Sequence, residues 1–255
     1  MSKQNLHFVM NAKGGVGKST CSIILQSFLE EKSKVLGIDT DPNNSTLSSV
    51  ESLDVTFLNI MPNGDTIDVQ KFDDLIIFLL ENEKTKNTDI VADIGASTFG
   101  PLFNYLVEND TFNLILNEKY NIFIHIPIAI SSGAEIDTLN GLEQMIDAFK
   151  GTCTFVVWSN EFFSSTGGKN IEELPLYIKH KENIFAVILM RKRDVLFSSA
   201  FEKMAKNSHT FKDIPMDTSY NILEKSRLQK IKNDYWSILD LIIPTAVSKK
   251  AEDKK

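Results

Sequence analysis

Residues 12–20 read Ala12-Lys13-Gly14-Gly15-Val16-Gly17-Lys18-Ser19-Thr20, set between an apolar run, Leu6–Met10, and an amphipathic helical stretch, Ser19–Glu31. Glycines at 14, 15 and 17 let the backbone curl tightly at a strand-to-helix turn. Successive N–H groups and the positive end of the following helix then converge on an anion. The run follows the pattern G-x-x-x-x-G-K-[ST] except at Ala12. In that pattern Lys18 bridges the outer phosphates of a nucleotide and the Ser19 hydroxyl ligates Mg²⁺. The bland alternative is a glycine-rich turn with no ligand, and the strand and helix context weighs against it.

Strand and helix patterns alternate along the rest of the chain. Apolar runs at Leu6–Met10, Lys34–Ile38, Asp89–Ala92, Ile122–Pro127, Thr154–Trp158 and Ile184–Leu189 read as strands. Helical periodicity marks Ser19–Glu31, Val69–Glu81, Gly133–Phe149, Val195–Ala205 and Tyr220–Ile243. Several strands are continuously apolar, as strands covered on both faces are. The expected fold is α/β, a doubly wound, mostly parallel sheet with helices on both faces. Ligands of such sheets sit beyond the carboxyl ends of the strands. Ala12–Thr20, Asp39–Ser45 and Asp93–Ser97 all fall at such ends, so they are expected to converge.

At 255 residues the chain suits one such domain. We expect a single unit over 1–247 and a disordered charged tail over 248–255. The longest apolar run, Ile122–Ile130, is interrupted by His125 and Pro127, and the start runs directly into a strand, so a cytoplasmic protein is expected. Cys21 and Cys153 are far apart without CxxC spacing, which suggests neither disulfide nor metal site. The net charge is −7, and residues 1–128 carry 9 Lys+Arg against 17 Asp+Glu. An anion-facing surface therefore belongs in the C-terminal half, where 18 face 17.

Asp39-Thr40-Asp41-Pro42-Asn43 and Asp93-Ile94-Gly95-Ala96-Ser97 supply strand-end carboxylates. A nucleotide-bound Mg²⁺ needs hard oxygen ligands, and hydrolysis needs a group that positions water. Taken singly, such aspartates are more often turn or helix caps.

With these residues in view, the sequence resembles the deviant Walker A ATPases of the ParA/MinD family, P-loop NTPases of the SIMIBI type. Within them it is most similar to the TraL-type and StbB-like ATPases of plasmid transfer and stability regions. The closer likeness lies in Asp39–Thr46, Leu58–Gly64, Asp93–Leu106 and Phe155–Asn160. The resemblance implies a homodimer with ATP sandwiched at its interface, Lys13 reaching across to the other subunit's nucleotide. It implies that Gly14, Gly15, Val16, Gly17, Lys18, Ser19 and Thr20 cradle ATP, and that Ser19, Asp39 and Asp93 serve Mg²⁺. Asp41 would orient the attacking water, and Asn160 would lie against the adenine edge. Asn43-Asn44 stands where partition relatives have Gln-Gly, and Gly95-Ala96-Ser97 replaces a proline-containing second switch. Both departures weaken an assignment to chromosome or plasmid partition, and the resemblance implies a role in plasmid conjugative transfer, with plasmid stability, partition or positioning as the alternative. The implied partner is a protein of a plasmid transfer or stability system. No NKxD-like segment suggests guanine, and no cysteines lie near the second switch to carry an iron–sulfur cluster.

Lesser features carry open readings. Leu228, Ile231, Tyr235, Ile238 and Ile242 form an apolar stripe that suits core packing or, with Lys225, Arg227, Lys230, Lys232 and Trp236, a peripheral membrane contact. The clusters Lys179–Lys181 and Arg191–Arg193 suit a solvated face or non-specific DNA. Ser159–Asn170 reads as a long loop near the nucleotide. His7, His125, His180 and His209 form no pattern.

Overall fold

Parallel pairing of buried apolar strands organises the computed structural model, which describes residues 3–61, 66–129, 135–162 and 170–243. The elements run β1 (Gln4–Val9), α1 (Lys18–Glu30), β2 (Val35–Asp39), β3 (Val55–Phe57), α2 (Gln70–Glu81), β4 (Asp89–Asp93) and α3 (Ala96–Glu108). They continue α4 (Asn117–Lys119), β5 (Tyr120–Ala129), α5 (Glu135–Phe149), β6 (Thr154–Asn160), α6 (Pro175–His180), β7 (Ile184–Met190), α7 (Val195–Lys206) and α8 (Ile222–Ile242). The seven strands order as β3-β2-β4-β1-β5-β6-β7, each neighbouring pair parallel.

Alternate residues of each strand feed two cores. Leu6, Phe8, Ile90, Ile124 and Phe155 pack with α2, α3 and α5 on one face. Val9, Val91, Phe123, Val156 and Trp158 pack with α1, α7 and α8 on the other. This is the expected doubly wound sheet, and it directs the carboxyl ends of β1, β2 and β4 to one edge.

Three features depart from the sequence reading. β3 is only three residues long and partly exposed, too short to show alternation. α3 is a full helix although Gly95, Gly100 and Pro101 punctuate it, and Pro101 within it forfeits the bond to the Ser97 carbonyl. The short α6 begins with Pro175 at its first turn, where the missing N–H is tolerated.

Two histidines that showed no relation in sequence meet inside the sheet. Trp158 Nε1 donates to His125 Nδ1 at 3.0 Å, so the His125 proton sits on Nε2, which donates to His7 Nδ1 at 3.0 Å. His7 Nε2 is left buried without a partner. Burial pushes the His7 pKa down to about 3, and burial together with its neighbour His7 holds His125 well below the usual imidazole value.

Candidate functional site: a glycine-loop cleft at the strand ends

The loop after β1 takes the path its glycines permit. Gly15 and Gly17 have φ of +73° and +98°, a region that strains any residue with a Cβ, and Gly17 caps α1. Lys18 is buried, and its Nζ donates to the Lys13 carbonyl at 2.8 Å. Burial lowers its pKa, while the carboxylates of Asp93 and Asp41 hold it up. Ahead of the loop, buried Asn11 was missed by sequence reasoning. Its Nδ2 donates to the carbonyls of Pro127 and Thr138, and its Oδ1 accepts the Lys13 N–H, which stitches the loop to β5 and α5. The position of an amide directly before the glycine run was the available signal.

The three strand-end clusters converge as expected. A cleft of about 610 Å³ is lined by the loop residues Gly14, Gly15 and Gly17 to Thr20, by Asp41, Asn43 and Asn44, and by Ala96 and Ser97. Thr40 joins the two acidic segments, its N–H and its hydroxyl both donating to the Asp93 carbonyl at 3.1 Å. Gly95 lets them touch: a Cβ there would lie 3.0 Å from both Cα and Cγ of Asp41.

The three aspartates differ in what their carboxylates do. Asp93 is 2% exposed, and neither oxygen has a hydrogen-bond partner among the described residues. Burial pushes its pKa up to about 7; the nearby hydroxyls of Ser19 and Ser22 and the Lys18 charge draw it down, and Asp39 raises it. A buried carboxylate with orphaned oxygens fits a divalent cation held through water, with Ser19 as the adjacent hydroxyl ligand. Among the described residues no group of three or more His, Cys, Asp or Glu side chains could hold a metal, and Mg²⁺ bound with phosphates needs no such cage.

Asp39 is placed otherwise than expected. It is fully buried, its Oδ1 accepts the Asp41 N–H at 3.0 Å, and its Oδ2 accepts the Ser48 N–H and hydroxyl at 2.9 and 3.0 Å. It shapes the Asp41 loop and does not line the cleft. Asp41 lines the cleft; its Oδ1 caps the N–H groups of Asn43 and Asn44, and its second oxygen has no partner among the described residues.

Asn160 also differs from expectation. It ends β6 and is 5% exposed, but its Nδ2 donates to the Val16 carbonyl at 3.0 Å and its Oδ1 accepts the Phe162 N–H at 2.9 Å. The amide braces the glycine loop rather than standing free for a base edge. Lys13, on the outer side of the loop, pairs with Asp137 of α5 at 3.1 Å.

The remaining candidates resolve toward structure. Leu228, Ile231, Tyr235 and Leu239 are buried against the sheet, with Ile238 and Ile242 packed beside them, so the stripe of α8 is core. Lys179 pairs with Glu143, Arg193 with Asp234 and Lys232 with Glu31, which leaves these basic clusters partly neutralised. No helix among the described residues is long and apolar enough to cross a membrane. Cys21 is buried and Cys153 partly so. Of the loop 159–170, residues 163–169 lie outside the described residues, as does the tail 248–255.

A parallel sheet whose first strand feeds a glycine loop, a lysine and a helix N-terminus, with strand-end carboxylates around it, defines a P-loop nucleotide-binding protein. The chain belongs to the CobQ/CobB/MinD/ParA nucleotide binding domain family, whose profile matches residues 7–230. It is similar to two Escherichia coli proteins, each described as Protein TraL, at 31% and 32% identity over 239 residues, covering 92% of this chain and 97% of each relative. Its fold is similar to that of the MinD cell division protein of Aquifex aeolicus, with TM-score 0.54 and 16% identity over 94% of this chain and 99% of the other. The ParA family ATPase of Chlorobium tepidum is alike, with TM-score 0.53 and 15% identity over 92% and 98%.

Proposed function

We propose that this chain is a slow, Mg²⁺-dependent ATPase of the deviant Walker A type that acts as a nucleotide-driven dimerisation switch, probed by a protein partner in plasmid conjugative transfer or stability. The observation that carries this reading is that Lys18, Ser19 and Asp41 line one glycine-loop cleft while the orphaned Asp93 carboxylate lies buried near Lys18. The likeness to the TraL proteins supports the conjugative setting, and the cytoplasm is the compartment that supplies the nucleotide.

In this reading the loop N–H groups and the α1 N-terminus hold the phosphates, Thr20 meets the α-phosphate, and the Lys18 ammonium moves from the Lys13 carbonyl to the outer phosphates. Ser19 and Asp93 hold the magnesium, which when bound neutralises phosphate charge. Asp39 positions rather than ligates: it fixes the loop that carries Asp41, whose second oxygen orients the attacking water. Lys13 leaves Asp137 to reach the partner's nucleotide, adding positive charge where the transferred phosphoryl needs it. Residues 1–247 act as one unit.

The buried α8 stripe and the paired basic clusters favour a protein partner over a membrane or DNA surface. Phosphate release from ATP tests the enzyme reading. Wild type turns over and Asp41→Ala binds ATP without turnover; equal release by both proteins removes the role of Asp41, and no release by wild type removes the ATPase.

A further inference from the structure

The chain leaves the sheet between β1 and the glycine loop, and Asn11 stands at the point of departure. The Met10 N–H still bonds across to β5, donating to the His125 carbonyl at 3.0 Å. Evenly spaced parallel pairing would next bring the Ala12 N–H to the Pro127 carbonyl. The Asn11 side chain takes up that carbonyl, its Nδ2 donating to Pro127 at 3.0 Å. The same nitrogen donates to the Thr138 carbonyl of α5 at 3.2 Å, and Oδ1 accepts the Lys13 N–H at 3.1 Å.

These bonds need one acceptor and two donors on a single short side chain, which only a carboxamide supplies. An ionised carboxyl has nothing to donate, and a hydroxyl carries one proton. Asn11 is 1% exposed, so the groups it satisfies are held away from water.

The amide ties together both sides of the Lys13–Asp137 pair. On one side it fixes the main chain of Lys13, and on the other the residue next to Asp137 in the first turn of α5. The Lys13 carbonyl in turn receives Lys18 Nζ at 2.8 Å. The main chain of Lys13 is thus locked relative to β5 and α5. Its half-exposed side chain, resting on Asp137, is the part left free to swing.

We propose that Asn11 is the positioning residue for Lys13: by locking the Lys13 main chain to β5 and α5, it sets the direction in which the ammonium reaches a second copy's nucleotide. The proposal rests on the reading of Lys13 given above. Asn11 does not line the cleft and acts through Lys13. A charged group displaced by about 1 Å can cost about 100-fold in rate.

Full-length Asn11→Ala and Asn11→Asp, with Lys13→Ala beside them, test this by calorimetry with Mg·ATP, light scattering and phosphate release. Asn11→Asp keeps the acceptor for the Lys13 N–H and loses the donations to Pro127 and Thr138. Both Asn11 variants should bind ATP within about threefold of wild type and dimerise about tenfold more weakly, with kcat reduced about 10- to 100-fold and KM little changed. A residue that merely braced the loop would lose ATP affinity in step with dimerisation, and that result overturns the proposal. Wild-type dimerisation and kcat in either variant overturn it, and so does failure of both to fold by circular dichroism, which leaves Asn11 a folding role alone. Lys13→Ala with wild-type dimerisation and turnover overturns the reading of Lys13 and the proposal with it. A defective Lys13→Ala beside a normal Asn11→Ala overturns the proposal alone.

Discussion

The Lys13 ammonium lies 3.1 Å from a carboxylate oxygen of Asp137, with both side chains about half exposed, at 45% and 58%. A pair so open to solvent is worth no more than about 1 kcal/mol. It can hold Lys13 against its own subunit without preventing release. Asp137→Asn should therefore lower the Mg·ATP concentration needed for dimerisation, by about fivefold at most. Lys13→Ala should bind ATP and remain monomeric. Light scattering reads both, and a normal ATP dimer from Lys13→Ala removes the reach across the interface.

Gly95→Ala should slow turnover by about 10- to 100-fold while the protein stays folded. The added Cβ meets Asp41 backbone and side chain at 3.0 Å, so the carboxylate must move. Phosphate release compared with ATP affinity checks this. Turnover at the wild-type rate shows that Asp41 has room to give.

The His7–His125 pair predicts a pH dependence of stability. The unfolded imidazole has its ordinary pKa of 6.5, and the folded His7 value is depressed to about 3. The folded state binds fewer protons between these values, so the stabilisation is complete above about pH 6.5 and is lost as pH falls toward 3. Asp93 works in the opposite sense, because its raised pKa stabilises the fold at low pH and that contribution fades as pH rises toward 7. His7→Gln keeps an acceptor for His125 Nε2 and cannot take up charge. Between pH 7 and 5.5 wild type should lose about 1 kcal/mol more than His7→Gln, with Asp93 cancelling in the comparison. Urea titrations at several pH values measure it, and parallel curves contradict a neutral buried pair.

The sheet and the cleft were legible because their signals are local. Predominantly apolar runs mark β1, β4, β5 and β6, and the glycine spacing marks the turn into α1. What stayed hidden depends on contacts between distant residues. Asp39 and Asp41 look equivalent in sequence, yet Ser48 closes over Asp39 and leaves Asp41 on the cleft. The hydrogen bond from Asn160 to the Val16 carbonyl spans 144 residues, and nothing in the sequence foretold it. The same holds for His7 and His125, which meet only because β1 and β5 are neighbours.

The central claim is that the loop from Gly14 to Thr20 binds a magnesium–nucleotide complex through Lys18. Calorimetric titration of Mg·ATP into wild type and Lys18→Ala, with circular dichroism confirming equal folding, tests it most directly. The account predicts saturable one-site binding in wild type and none in Lys18→Ala. Equal heats from the two proteins, or no heat from wild type, would contradict it.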